Sequence, residues 1–384
     1  MQTSVRSMAL AAFLAAMLAS GCADEPLPLV PEVDTVAADE EARVEEALAE
    51  ASRLEAFALE SDGGVASLVE SISSESGRAS IVVVPAGSVD ALAGALASAG
   101  TGGIVILKSG LHTESGSVTI TSRVHLIGEP GAILQVDTQT DAAFNDPALH
   151  LLGASRVLVW GIDLRPAQSS GNTGILLQDS PLATIGNNSI TAHQVGVLIH
   201  ESDRAFLFGN TIITAPDGAL GVEVVNGERV SIVGNDIANA PFAGVFASDH
   251  DGTFLLNHVH GNFIGIIFCN VPAGSATLPD GQVIGSDVSA TDWTARWNNA
   301  TNNGWGYLAI DGATGCDLLH NEASNNSDYD IELAGDSERF GFFTPTSSNC
   351  TAVSSNPAIV VKNCGLNNTV IGGTQVDTTV DPCF

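Results

Sequence analysis

The chain has 384 residues, of which 45% are hydrophobic and only 15% charged, with 40 glycines and few aromatics. That is enough apolar material for a large core, and the bias to Val, Ile, Leu, Ala and Gly suits many short strands and tight turns better than a helical bundle. Thirteen basic against 44 acidic side chains leave a net charge of −31. Such a surface repels nucleic acid and anionic headgroups, and holds a polyanionic ligand only through a bridging cation such as Ca²⁺.

Residues 1–21 read as a leader: one Arg (Arg6), an apolar run from Met8 to Leu18, then small residues. The run is too short for a stable membrane span. Leu18-Ala19-Ser20-Gly21-Cys22 resembles the lipobox of bacterial lipoproteins, although Ala19 stands where that pattern usually has Leu. The resemblance implies a diacylated Cys22 and attachment to the cell envelope, on its extracytoplasmic side, through this lipid alone. The alternative is an ordinary leader cut near Ala19 or Ala23.

Residues 22–78 form an acidic linker. Pro26, Pro28 and Pro31 keep its first part extended. Val36, Val44, Leu48, Ala51, Leu54 and Phe57 recur at helical spacing, predicting an amphipathic helix within Asp34–Glu60. It reads as a stalk, or as a solvated helix beside the domain. The Ser-rich stretch 63–77 is expected to be loose.

Residues 79–384 carry a repeat. Strand, helix and strand are predicted over Ile81–Val84, Val89–Ala99 and Gly103–Leu107. A glycine followed by aliphatics then recurs at Gly174, Gly196, Gly221, Gly244 and Gly265, at intervals of 22, 25, 23 and 21 residues, with Gly306 and Asp330 continuing the series. Out of phase with it runs a second series: Asn187, Asn210, Asn235, Asn257, Asn298 and Asn321. A period near 22 with two or three short strands is one coil of a parallel β-helix, in which equivalent side chains stack about 4.8 Å apart. The asparagines are expected to sit at a turn with positive φ and to hydrogen-bond one another as a ladder.

Pro85-Ala86-Gly87, the Val89–Ala99 helix, Gly103–Leu107, Ser109–Glu114 and Leu126-Ile127-Gly128 resemble the N-terminal cap and first coils of the pectin-lyase-like superfamily. The fold class this implies is all-β, a single-stranded right-handed parallel β-helix with an N-terminal capping helix. The resemblance does not choose an activity, because the superfamily includes lyases, hydrolases, esterases, epimerases and proteins without known chemistry.

Residues following the ladder asparagines should point outward: Asn188, Thr211, Asp236, His258, Asn299 and Glu322. Asp236 and His258 fall on adjacent coils, where a carboxylate orients an imidazole for acid–base work. If 266–297 is an extra coil, Asp287 stacks beyond His258 to give Asp–His–Asp; if it is a long loop, Asn299 is the neighbour. Asp249-His250-Asp251 and His258-x-His260 read as a turn and a strand edge, so no metal site is assigned and no cofactor is called for. Leu176, Leu198, Phe246, Ile267 and Leu308 form an outward aliphatic stripe, which the N-terminal helix or the long loop is expected to cover. Cys269, Cys316, Cys350, Cys364 and Cys383 are disulfide candidates for the final coils. Taken together these features predict an envelope-anchored protein that binds a polysaccharide or a cell-surface protein along the solenoid. The alternative is a polysaccharide-active lyase, epimerase or hydrolase centred on Asp236 and His258.

Overall fold

The computed structural model describes residues 38–59, 64–76, 79–139, 146–248, 250–270, 276–284, 289–335, 337–339, 342–344 and 347–376. Cys22, Asp287 and Cys383 lie outside them. The chain divides into two compact units, Met1–Gly77 and Arg78–Phe384.

Among its described residues the first unit contains two helices that contact each other, Ala38–Leu59 and Gly64–Ser76. Val44, Ala47, Ala51 and Leu54 recur every three or four residues on one helix, Leu68 and Ile72 on the other, and all are buried. The Ser-rich stretch is therefore helical rather than loose. Its Val65, Leu68, Val69 and Ile72 already have helical spacing, which outweighs the modest propensity cost of serine.

The second unit is a parallel β-helix. One long sheet stacks twelve strands from Ile81–Val84 to Thr369–Gly372. The remaining coil strands form two further faces, joined where the strand Ser189–His200 turns the corner between them. Helix Leu92–Ala99 begins later than the sequence suggested, because Val89 pairs with Thr113. Glu114 accepts hydrogen bonds from the free amides of Ala91 and Leu92 at 3.1 and 2.9 Å, replacing the side-chain cap that the helix's own residues lack.

Inside, aliphatic side chains stack coil on coil. Leu126, Val159, Ile185, Leu207, Ile232, Phe254, Ala295 and Leu318 form one such ladder, every member at 0% exposure. Each aliphatic rung buried in this way contributes about 1.5–3 kcal/mol. Two residues before Ala295, Trp293 is fully buried, its ring stacked 5.0 Å from Phe254. The preceding coil carries Gly252 at this point, and a Cβ there would lie 2.1 Å from the Trp293 ring.

The glycine column follows the same logic. A Cβ on Gly174, Gly196, Gly221, Gly244, Gly265 or Gly306 would come within 2.4–2.8 Å of the carbonyl oxygen of the corresponding residue on the next coil, ending at Asp330. These glycines serve close approach of stacked backbones.

The asparagine ladder exists with one correction at its start. Asn188 rather than Asn187 is its first member, and each amide donates to the next side-chain oxygen, Asn188 to Asn210, Asn235, Asn257, Asn298 and Asn321, at 2.9–3.1 Å. The same oxygens accept the backbone N–H of the preceding asparagine at 2.9–3.0 Å. Positive φ falls on the residue before each rung: Asn187, Gly209, Gly234, Leu256, Trp297 and His320. The rung itself is free of that strain, and its role is to satisfy buried polar groups. A second ladder, absent from the sequence reading, runs along another corner: the Asn262 amide donates to Asn303, whose backbone N–H donates to Asn326.

Cys269, Cys316 and Cys350 are buried free thiols in this structure. Stacking explains it for Cys316 and Cys350: they occupy equivalent interior positions of neighbouring coils, in thiol contact with each other, as two more core side chains. Cys364 is disulfide-bonded.

Candidate functional site on the outer face

The strands Thr211–Thr214, Asp236–Ala238, His258–His260 and Asn299–Thr301 lie side by side in one face. Their middle residues, Ile212, Ile237, Val259 and Ala300, point into the core, so the flanking residues point out. Two outward columns result. One runs Thr211, Asp236, His258, Asn299 and Glu322; the other runs Ile213, Ala238, His260, Thr301 and Ser324. The corrected ladder start puts Ser189, not Asn188, at the head of the first column.

Asp236 and His258 meet as the spacing predicted. The Nδ1 of His258 lies 3.1 Å from Asp236 Oδ1. His260, read from sequence as a strand edge, joins them, its Nε2 also 3.1 Å from Asp236 Oδ1. The two imidazoles stack, with centroids 4.3 Å apart and planes 25° from parallel. Thr301 Oγ1 sits 3.4 Å from the far nitrogen of His258. The side chains of Asp236, His258 and His260 are 20%, 41% and 32% exposed, so solvent or a ligand reaches all three. The His-x-His spacing was the signal for His260: on a strand, alternate residues share a face.

Asn299 pairs directly with His258, so no extra coil intervenes and the Asp–His–Asp arrangement does not form on this stack. The excursion after Ile264–Phe268 carries a short antiparallel hairpin, Ala276–Thr277 with Val283–Ile284, and the stack resumes where Thr291 pairs with His250. It folds back over a different face. Its Leu278 is 1% exposed and packs with Leu176, Leu198, Ile267 and Leu308, all at most 3% exposed, with Phe246 half-buried beside them. Asp280 Oδ2 accepts a hydrogen bond from Gln178 at 2.6 Å. The loop, as one of the two expected covers, thus lies on the aliphatic stripe. The stripe also contains Glu223, between Leu198 and Phe246. Burial pushes its carboxyl up to about 7, because the charged form loses its hydration there. At the far end of that column Lys362 follows Glu332 and is buried over the Tyr329 ring.

Beside the Asp–His–His cluster, on its N-terminal side, is an open cleft of about 550 Å³, lined chiefly by Thr191, Ile213, Thr214, Pro216, Asn239 and Pro241. Ile213 is two strands from His260 in the same outward column, about 10 Å away. At the corner beyond His260, Phe263 is 43% exposed and meets Trp305 edge-on at 5.3 Å.

The family profile described as a right-handed β-helix region matches residues 173–277, the stretch that holds Asp236, His258 and His260. No curated protein matches the chain by sequence. Among solved structures the chain is similar to the Streptococcus pneumoniae surface protein and adhesin PfbA, at 12% identity and a TM-score of 0.49, over 79% of this chain and 96% of that one. It is similar also to an alginate lyase from Paenibacillus sp. str. FPU-7, at 12% identity and a TM-score of 0.45, over 65% and 96%. A third is the A-module of the Azotobacter vinelandii mannuronan C-5 epimerase AlgE4, at 12% identity and a TM-score of 0.44, over 74% and 91%. The protein is a right-handed parallel β-helix. At these identities the likeness is one of fold, and function has to be argued from the site.

Proposed function

We propose that this is an extracytoplasmic protein, tethered to the cell envelope by a lipid on Cys22, that binds a glycan along the outward face carrying Asp236, His258 and His260. The observation that carries the reading is the cleft beside that cluster. It offers an apolar floor from Ile213, Pro216 and Pro241, with Thr191 and Asn239 as hydrogen-bonding groups, the mixture that suits the C–H faces and hydroxyls of a sugar chain. An elongated ligand fits a surface that repeats every coil. The net charge of −31 favours a neutral glycan, or an acidic one bridged by Ca²⁺.

The test is affinity electrophoresis of the full chain in neutral and uronic-acid polysaccharides, with and without Ca²⁺. Retention by at least one polysaccharide, without products, is expected, and Ile213→Asp should abolish it. Equal mobility in every gel, or retention unchanged by Ile213→Asp, would sink the binding reading.

One observation favours an enzyme as the second reading: Asp236 holds His258 by a 3.1 Å contact with its other ring nitrogen near solvent, the arrangement a general base requires. The binding reading predicts that Asp236→Ala combined with His258→Ala keeps both fold and retention. Turnover of a glycan by the wild type that this double variant loses would replace binding with catalysis.

A further inference from the structure

We propose that Asp236, His258 and His260 form a binding site for one divalent transition-metal ion of the zinc class. This inference is independent of glycan binding. Two imidazole nitrogens and one carboxylate oxygen are a ligand set that suits Zn²⁺ and its neighbours, not Ca²⁺ or Mg²⁺, which take oxygen ligands.

Geometry then makes the set convergent. All three donor atoms lie within 4.8 Å of one another, and both nitrogens lie 3.1 Å from the same carboxylate oxygen. Ligands on a tetrahedral ion with bonds of about 2.0–2.1 Å sit roughly 3.3 Å apart. The oxygen–nitrogen edges therefore need to open by only a few tenths of an ångström to admit the ion.

The scaffold holds the donors in place. His258 and His260 are on one strand, two residues apart, so both face out, and Asp236 is paired directly opposite His258. The core residues Ile237 and Val259 between them are at 0% exposure, which fixes both strands. The far nitrogen of His258 is within 3.4 Å of the Thr301 hydroxyl, the kind of outer contact that orients a metal-binding imidazole. One carboxylate oxygen serves two stacked rings whose centroids lie 4.3 Å apart. With three protein ligands and a half-exposed rim, at least one coordination position remains open to water or to a ligand.

Equilibrium dialysis of the untagged full chain against Zn²⁺, in excess Ca²⁺ to occupy the acidic surface, tests this. One zinc equivalent is expected to bind in the micromolar range or tighter. Affinity should fall about 100-fold or more in His258→Ala, His260→Ala and Asp236→Asn. Circular dichroism should show an unchanged fold, since all three side chains face outward. A zinc equivalent whose affinity survives His258→Ala with His260→Ala, or one displaced by Ca²⁺, would overturn the proposal. Should a variant misfold, pulsed electron paramagnetic resonance of the Cu²⁺-loaded wild type decides. Couplings from two imidazoles support the site, and their absence refutes it. Glycan retention with no zinc uptake would leave the binding function standing and this inference refuted.

Discussion

Glu223→Gln probes a buried charge whose energetics follow directly from its surroundings. Glu223 is 8% exposed, with Leu198 and Phe246 on the adjacent strands, and no described residue hydrogen-bonds its carboxylate. Its folded-state pKa of about 7 compares with the ordinary value of 4.5. Below pH 4.5 both folded and unfolded chains hold the proton, and the residue contributes nothing to pH dependence. Between 4.5 and 7 the folded chain keeps a proton that the unfolded chain releases, so stability falls as pH rises. At roughly 1.36 kcal/mol per unit of pKa difference, the loss totals about 3 kcal/mol above pH 7. Glutamine carries no charge at any of these pH values and has a constant desolvation cost. The stability of Glu223→Gln relative to the wild type should therefore rise by about 3 kcal/mol from pH 4 to pH 8. Urea unfolding of both proteins at several pH values gives this difference, in which the titrations of the other carboxylates cancel. Curves that run parallel across the range would refute the reasoning.

Two further predictions concern the ladders. Asn235→Ala removes the acceptor of the Asn210 backbone N–H and side-chain amide, both 2.9 Å away, and the donor to Leu207 O at 3.1 Å. A buried N–H left without a partner makes the expected cost about 3 kcal/mol, read from the urea midpoint. Gly221→Ala places a methyl 2.5 Å from both Gly244 O and the Ile237 side chain; a loss of about 2–3 kcal/mol is expected, and an unchanged melting temperature would show that the coils separate more easily than their packing implies.

The repeat was legible because a β-helix writes each coil as a period. Gly174 through Gly306, and even Asp330, fall in one column, since the close approach that demands glycine recurs at every coil. The Asn ladder was legible for the same reason, but Asn187-Asn188 offers two asparagines at one slot, and the choice depends on which residue takes positive φ, a matter of tertiary geometry. Asp236 beside His258 followed from counting one coil. His260 was visible as His-x-His, yet its approach to the same Asp236 oxygen depends on side-chain rotamers that spacing does not encode. Asp287 drew attention because Val283-Ile284-Gly285 resembles a coil motif, whereas Val283 and Ile284 pair antiparallel with Thr277 and Ala276. A local pattern does not specify the strand it will pair with. The thiols show the same limit: five cysteines near one end suggested bridges, and three of them are interior side chains.

The glycine column also bears on how such a chain changes length. Because each glycine is fitted to the carbonyl of the one coil that follows it, a coil is specified by its two neighbours and by nothing farther away. Removing or duplicating a complete glycine-to-glycine segment preserves every fitted contact, whereas adding a single residue inside a strand destroys two of them and turns the core residues outward. The excursion after Phe268 obeys this grammar, returning to the stack with Thr291 paired to His250 and Thr294 paired to Thr253. Growth of this protein by whole coils, with elaboration confined to the turns, is what its backbone permits.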